Sequence, residues 1–264
     1  MAMTPDPWGS GSAYEQYMGR WSRHVAAEFL PWLGTPPGRR WLDVGCGTGV
    51  LTRMILESAA PGEIVGVDPS EGFVRFAAAR TADSRVRFAV ADAADLPFED
   101  GSFDAVVAGL VLNFVADPAA ALREMARVTV HGGVIAAYVW DYGNGMQFIR
   151  TFWDAATALD ADAGALHQGE RFPLARPEAL AALFERAGLG EVDGRSIEIA
   201  TRFADFDDFW APFLGGTGPA PSYVATLDDD RRTALRERLR ATAPTEPDGS
   251  ISLTARAWAV RGRR

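Results

Sequence analysis

Residues Trp41-Leu-Asp-Val-Gly-Cys-Gly-Thr-Gly-Val50 constrain this 264-residue chain more than any other stretch. A short apolar run ends in Asp43, and glycines follow at alternate positions, Gly45, Gly47 and Gly49. Glycine tolerates positive φ and lets a bound group approach the backbone with no Cβ in the way. A helical pattern starts at once, so the segment reads as strand, turn and helix N-terminus. That corner makes a nucleotide-type pocket, with free backbone N–H groups and the positive end of a helix. Its fold class is α/β.

The rest of the first half keeps the same rhythm. Strands are expected at 41–44, 64–67, 86–90, 103–108 and 134–140. Helices are expected over 48–58, from a Ser70 cap through Phe73, Val74 and Ala77, and from Asp117-Pro118 to Val128. Strand and helix in alternation predict a parallel sheet covered on both faces. After Trp140 the pattern changes. Met146, Ile149, Phe152, Trp153 and Ala156 share one helical face. Arg176-Pro177 opens a helix that stops at Ala187-Gly188. A sixth strand is expected at 192–200, an aromatic helix over 206–214, a Gly/Pro loop over 215–222, a charged helix over 228–242 and a last strand over 251–260. The expected organisation is one domain in three parts. Residues 1–140 hold the N-terminal helix and ligand-binding core. Residues 141–250 form an accessory layer capping the C-terminal ends of the strands. Residues 251–264 form the final strand and a solvated basic tail.

Composition narrows the chemistry. A net charge of −9 disfavours a surface for phosphate backbones, so no nucleic-acid partner is expected. All 26 basic residues are arginine. A chain without lysine has no Schiff-base lysine and no P-loop lysine. The single cysteine, Cys46, predicts a reducing compartment, and the N-terminus lacks a signal-peptide pattern, so a cytoplasmic location is expected. The apolar runs are too short to span a bilayer. No Cys/His or carboxylate cluster has metal-ligand spacing, so no metal is expected.

Two further acids end the next strands. Asp68 lies where a carboxylate accepts ribose hydroxyls, and Asp92 where an adenine amino group would sit. The alternative ligand is NAD(P) in an oxidoreductase. Its G-x-G-x-x-G/A pattern requires a small residue where Val50 stands, and carboxylates repel a diphosphate.

Leu42-Asp-Val-Gly-Cys-Gly-Thr-Gly49, Val67-Asp-Pro-Ser70, Ala91-Asp-Ala93 and Phe103-Asp-Ala-Val-Val-Ala-Gly109 resemble motifs I to IV of the class I S-adenosylmethionine-dependent methyltransferases. The resemblance covers roughly residues 14–140. It implies a Rossmann-like, doubly wound seven-stranded sheet with the last strand antiparallel and an α-helical cap. It implies Gly45 and Gly47 under the methionine part of S-adenosylmethionine and Asp43 on its amino group, directly or through water. Asp68 and Pro69 are implied at the ribose, Asp92 and Ala93 at adenine, and the backbone of Gly109 and Leu110 on the methionine side. Tyr17, in the arginine- and aromatic-rich stretch 14–23, is the first choice for a lid residue at the carboxylate.

The implied activity is methyl transfer to a small-molecule acceptor, with a non-catalytic S-adenosylmethionine-binding protein as an alternative. No general base stands out. Asp141 and Tyr142 follow the fifth strand, and His167 lies in the accessory region; these are the candidates. Asn113 lies near the expected transfer site, outside the Asn-Pro-Pro-Tyr pattern of nucleobase methyltransferases.

Overall fold

The computed structural model describes residues 18–215 and 218–264. Its strands are β1 (Arg40–Val44), β2 (Glu63–Asp68), β3 (Val86–Val90), β4 (Phe103–Gly109), β5 (Thr129–Trp140), β6 (Gly190–Phe203) and β7 (Ile251–Arg263). They form one sheet in the order β3-β2-β1-β4-β5-β7-β6. Pairing is parallel from β3 through β2, β1 and β4 to β5. β7 runs antiparallel to β5. The Gly132 N–H donates to the Arg264 carbonyl near one end, and the Asp141 N–H to the Arg256 carbonyl at the other. Chain order reverses between β1 and β4, and such a switch point opens a crevice at the strands' C-terminal ends.

By contact density the chain divides into two compact units. The first comprises residues 22–139, 174–197 and 257–264. Its strands are near-continuous apolar runs because helices cover both faces of a parallel sheet. Trp41, Leu42, Val44, Ile64, Val67, Val106, Ile135 and Val139 are all buried. The edge strand β3 is thinner, and Val90 is 51% exposed. The helices α2 (Val50–Ser58), α3 (Glu71–Ala79), α4 (Pro118–Val128) and α6 (Pro177–Arg186) belong here, as does most of α1 (Arg20–Leu33). Their starts follow local rules. The Asp117 carboxylate accepts from the Ala120 N–H at 2.8 Å with Pro118 in the first turn, and the Ser70 hydroxyl accepts from the Phe73 N–H at 3.3 Å.

The second unit comprises residues 18–21 and 140–173 and the described part of 198–256. It contains α5 (Gln147–Leu159), α7 (Phe206–Trp210), α8 (Pro219–Thr226) and α9 (Asp229–Thr242). Its core is aromatic. The Phe213 ring stacks on Phe148 and Phe152 with centroids 4.6 and 4.4 Å away, and Phe209 meets Phe148 and Phe203 edge-on. The Arg20 guanidinium lies over the Trp21 ring and holds both oxygens of Asp208, at 2.8 and 3.2 Å.

Several boundaries differ from the sequence reading. The single helix expected over 206–214 becomes α7 followed by a 3-10 turn, Ala211–Leu214, because Pro212 has no N–H to continue the α ladder. The expected Gly/Pro loop contains α8, which uses Pro219 in its first turn. β5 begins at Thr129 and absorbs His131-Gly-Gly, because Gly132 and Gly133 exchange hydrogen bonds with Arg264. β7 runs to Arg263 for the same reason. Arg261 lies over the Trp32 ring and pairs with Asp193 at 3.0 Å, so the basic end is a strand and not a solvated tail. No described helix is long and apolar enough to cross a membrane.

Phe213 is fully buried and its neighbour Leu214 is 56% exposed. Phe213→Ala should lower unfolding free energy by about 3–5 kcal/mol, and Leu214→Ala by less than about 0.5 kcal/mol, in denaturant titration.

Candidate functional site

The switch point lies in the first unit, where the loop after β1 meets the loop after β4. The chain leaves β1 and crosses the end of β2. The Gly45 and Cys46 N–H groups both donate to the Val67 carbonyl, at 2.7 and 2.8 Å. Gly45, Gly47 and Gly49 have φ of 71°, 50° and 80°, which side-chain-bearing residues rarely adopt. A Cβ on Gly45 would overlap the Val111 side chain from the loop after β4. A Cβ on Gly47 would meet nothing within 4 Å. Gly45 is thus closed by the protein, while the backbone at Gly47 faces open space. Gly49 caps α2 with no side-chain hydrogen bond, so α2 starts at Val50, two residues later than expected.

Asp68 ends β2 and ties this loop to the next helix. Its Oδ2 accepts from the Gly47 N–H at 3.0 Å and its Oδ1 from the Ser70 N–H at 2.9 Å. Burial raises its pKa above the usual carboxylate value, opposed by the Ser70 and Gly47 donors. Pro69 lies between the two tied residues.

Asp43 is only 1% exposed. Its Oδ2 accepts from the Thr52 hydroxyl at 2.6 Å, and its Oδ1 has no hydrogen-bond partner among the described residues. Its carboxyl is pushed up to about 7, first by burial and further by the Asp68 charge, against the Thr52 bond. Among the described residues neither carboxylate has a basic partner. The Cys46 thiol is pushed well up by burial and then by these two acids. A thiol in that setting packs and does not act as a nucleophile.

Further sequence-selected residues follow β3 and end β4. Asp92 follows β3 and is exposed; its Oδ1 accepts from the Ala94 N–H at 2.8 Å, and Ala93 beside it is buried. Gly109 ends β4, where a Cβ would lie 2.7 Å from the Tyr138 hydroxyl oxygen. Leu110 has φ of 65°, strained for a residue with a side chain, and its N–H donates to the Tyr138 carbonyl at 2.8 Å. The Asn113 Oδ1, in the same loop, is buried without a partner. Tyr17 lies outside the described residues.

Asp141, Tyr142 and His167 belong to the second unit. Asp141 is buried, and its Oδ2 accepts from Arg256 Nε and Nη2 at 2.9 and 2.7 Å. Its Oδ1 accepts from the Asn144 N–H at 3.0 Å. Tyr142 is buried with its ring 5.4 Å from that of Phe172. His167 Nδ1 accepts from the Gly169 N–H at 3.0 Å, which places the proton of a neutral ring on Nε2. A Cβ on Gly169 would crowd both Gly143 and the His167 ring, so these two turns touch.

Sequence reasoning missed Thr52. The signal was present: one hydroxyl one turn into a helix whose neighbouring positions, Leu51 and Ile55, are apolar and buried.

A family model described as a methyltransferase domain matches residues 42–137. The demethylmenaquinone methyltransferase of Roseiflexus castenholzii is 36% identical over 178 residues, 62% of this chain and 74% of that protein. Its counterpart from Staphylococcus aureus is 31% identical over 188 residues, 67% of this chain and 76% of that protein. Among solved structures, a Bacillus halodurans protein described as a putative methyltransferase aligns with TM-score 0.59 and 16% identity, covering 90% of this chain and 97% of that one. The Haemonchus contortus phosphoethanolamine N-methyltransferase 2 complex with S-adenosyl-L-methionine aligns with TM-score 0.59 and 19% identity, covering 96% of this chain and 57% of that one.

Gly45 and Gly188 both have positive φ, but a Cβ on Gly188 would meet nothing within 4 Å. Thermal and denaturant unfolding should therefore separate overlap from backbone strain. Gly188→Ala should cost about 1–2 kcal/mol and Gly45→Ala about 2–4 kcal/mol.

Proposed function

Because the chain belongs to the class I S-adenosylmethionine-dependent methyltransferases, we propose that it transfers a methyl group in line to a small organic acceptor. The observation that carries this reading is the buried, cation-free carboxylate Asp43 beneath an open glycine backbone. S-adenosylmethionine is the cofactor, and the loop suits it. An orphaned carboxylate oxygen calls for a cationic group such as an ammonium, and two buried acids oppose a diphosphate. When bound, the cofactor supplies a methyl already activated on a sulfonium sulfur.

In this reading the protein's residues bind, orient and exclude water. Asp43 holds the amino group, the tight Gly45 turn packs against Val111, and the bare backbone of Gly47 lets the amino-acid portion lie against the loop. Asp68 offers its remaining lone pairs to the ribose hydroxyls while keeping Gly47 in place. Asp92 and Ala93 border the adenine, and the strained turn at Leu110 closes the methionine side. Holding acceptor and methyl in line can supply about 7–11 kcal/mol of a barrier, so no dedicated base is required. The candidate bases support that economy. Both Asp141 oxygens are engaged by Arg256 and Asn144, and the His167 Nδ1 lone pair is engaged by Gly169. We assign both to holding their turns.

The two curated relatives are named for demethylmenaquinone, so a reduced naphthoquinone is the first acceptor to assay. The family model ends at residue 137, and residues 141–250 select the acceptor in this proposal. Purified protein with S-adenosylmethionine should form S-adenosylhomocysteine only when a small acceptor is added, and none with duplex DNA. Turnover on DNA, or none on a panel of quinols, phenols and amines, would overturn the acceptor class.

A separate measurement tests the ribose role. Asp68→Ala should weaken S-adenosylhomocysteine binding more than tenfold by calorimetry, since ribose hydroxyls and the Gly47 N–H lose an acceptor worth about 1–3 kcal/mol. Unchanged affinity would leave Asp68 only as a tie between loop and helix.

A further inference from the structure

The environment of Asp43 carries a consequence beyond binding. In the sheet it pairs in register with Gly66 of β2 and Val107 of β4, neither of which titrates. From α2, Thr52 covers one oxygen. Among the described residues, the remaining titratable neighbours are Asp68 at the end of β2 and Cys46 in the loop, and both disfavour a second negative charge. Arg53, the next residue on α2, donates to the Thr48 carbonyl at 2.8 Å. A carboxylate this buried, with an unpartnered oxygen, must be neutralised by a proton or by a cation.

We propose that Asp43 is a proton-exchange site: the ligand-free protein holds a proton there, and the cofactor's ammonium displaces it to solvent. No bond of the cofactor is made or broken. One O–H bond at Asp43 is exchanged for an ion pair, and one proton enters the buffer. Asp68 differs in geometry, because each of its oxygens already accepts a backbone N–H and neither is orphaned. With the Asp43 carboxyl pushed up to about 7 by burial, the exchange falls near neutral pH. The inference concerns the cofactor alone and holds for any acceptor.

The sign follows from linkage. Below about pH 7 the ligand must expel a proton, so affinity falls by up to tenfold per pH unit on acidification; above it, affinity levels off. A ligand without the amino group cannot drive the exchange.

Isothermal calorimetry on the full chain tests this with two probes. S-adenosylhomocysteine carries the ammonium; 5′-methylthioadenosine is the matching nucleoside thioether without the amino-acid portion. The first should bind about tenfold more weakly at pH 6 than at pH 8. At pH 6 its heat should differ between buffers of different ionisation enthalpy, corresponding to release of close to one proton. The affinity of 5′-methylthioadenosine should change less than twofold over the same range. Thr52→Val should move the midpoint upward, and Asp43→Asn should flatten the S-adenosylhomocysteine profile. Should that variant fail to fold, the comparison of the two probes on the unmodified protein decides. A flat profile for S-adenosylhomocysteine, heats independent of buffer, or an equal slope for both probes would overturn the proposal.

Discussion

The site depends on one backbone group, the Val67 carbonyl, which accepts the N–H groups of Gly45 and Cys46 together. Two consecutive donors can converge on one acceptor only if the chain turns sharply between them, and φ of 71° at Gly45 allows that turn. The next residue of the same strand, Asp68, then spans from the Gly47 N–H to the Ser70 N–H. The last two residues of β2 thus fix the start of α2 on one side and of α3 on the other. α2 in turn delivers Thr52 to Asp43. A slip of β2 by one residue would turn Asp68 to the other face and remove its contact with the Gly47 N–H.

What the sequence made legible was local. Glycines at alternate positions, acids at strand ends, Asp117-Pro118 and Ser70 each act within a few residues, and all stand where their spacing placed them. What it hid was made by pairing across the chain. Nothing within 129–133 announces a strand; those residues are extended because Arg264, more than a hundred positions away, pairs with Gly132 and Gly133. The tail was misread for the same reason, since the partners of Arg261, Trp32 and Asp193, are distant in sequence. At the site, the position of Asp68 was legible but its second duty was not. Its acceptors meet N–H groups that point together only after the loop has folded.

The two units differ in what their residues can be asked to do. In the first, polar side chains at the site keep capacity unspent: the Asp43 Oδ1 and the Asn113 Oδ1 are buried without partners. In the second, two of the three candidate bases are engaged. Asp141 is saturated by Arg256 and a backbone N–H, and His167 closes its own turn. The proposed in-line transfer from a sulfonium, whose leaving group is a neutral thioether, fits this arrangement, because alignment supplies barrier lowering that a base would otherwise provide.

Leaving Asp43 without an internal cation has a thermodynamic logic. A resident arginine beside it would stabilise the ligand-free fold and compete with the ligand for the same oxygen. Without one, the folded protein binds a proton between the ordinary carboxylate value of 3.8 and about 7, a range in which the unfolded chain has already lost it. Stability of the ligand-free protein therefore declines as pH rises through that window. A ligand ammonium that binds only the native state reverses the decline by the same linkage. In the proposed exchange, the interaction withheld from folding at the unpartnered Asp43 oxygen is available to the cofactor's ammonium.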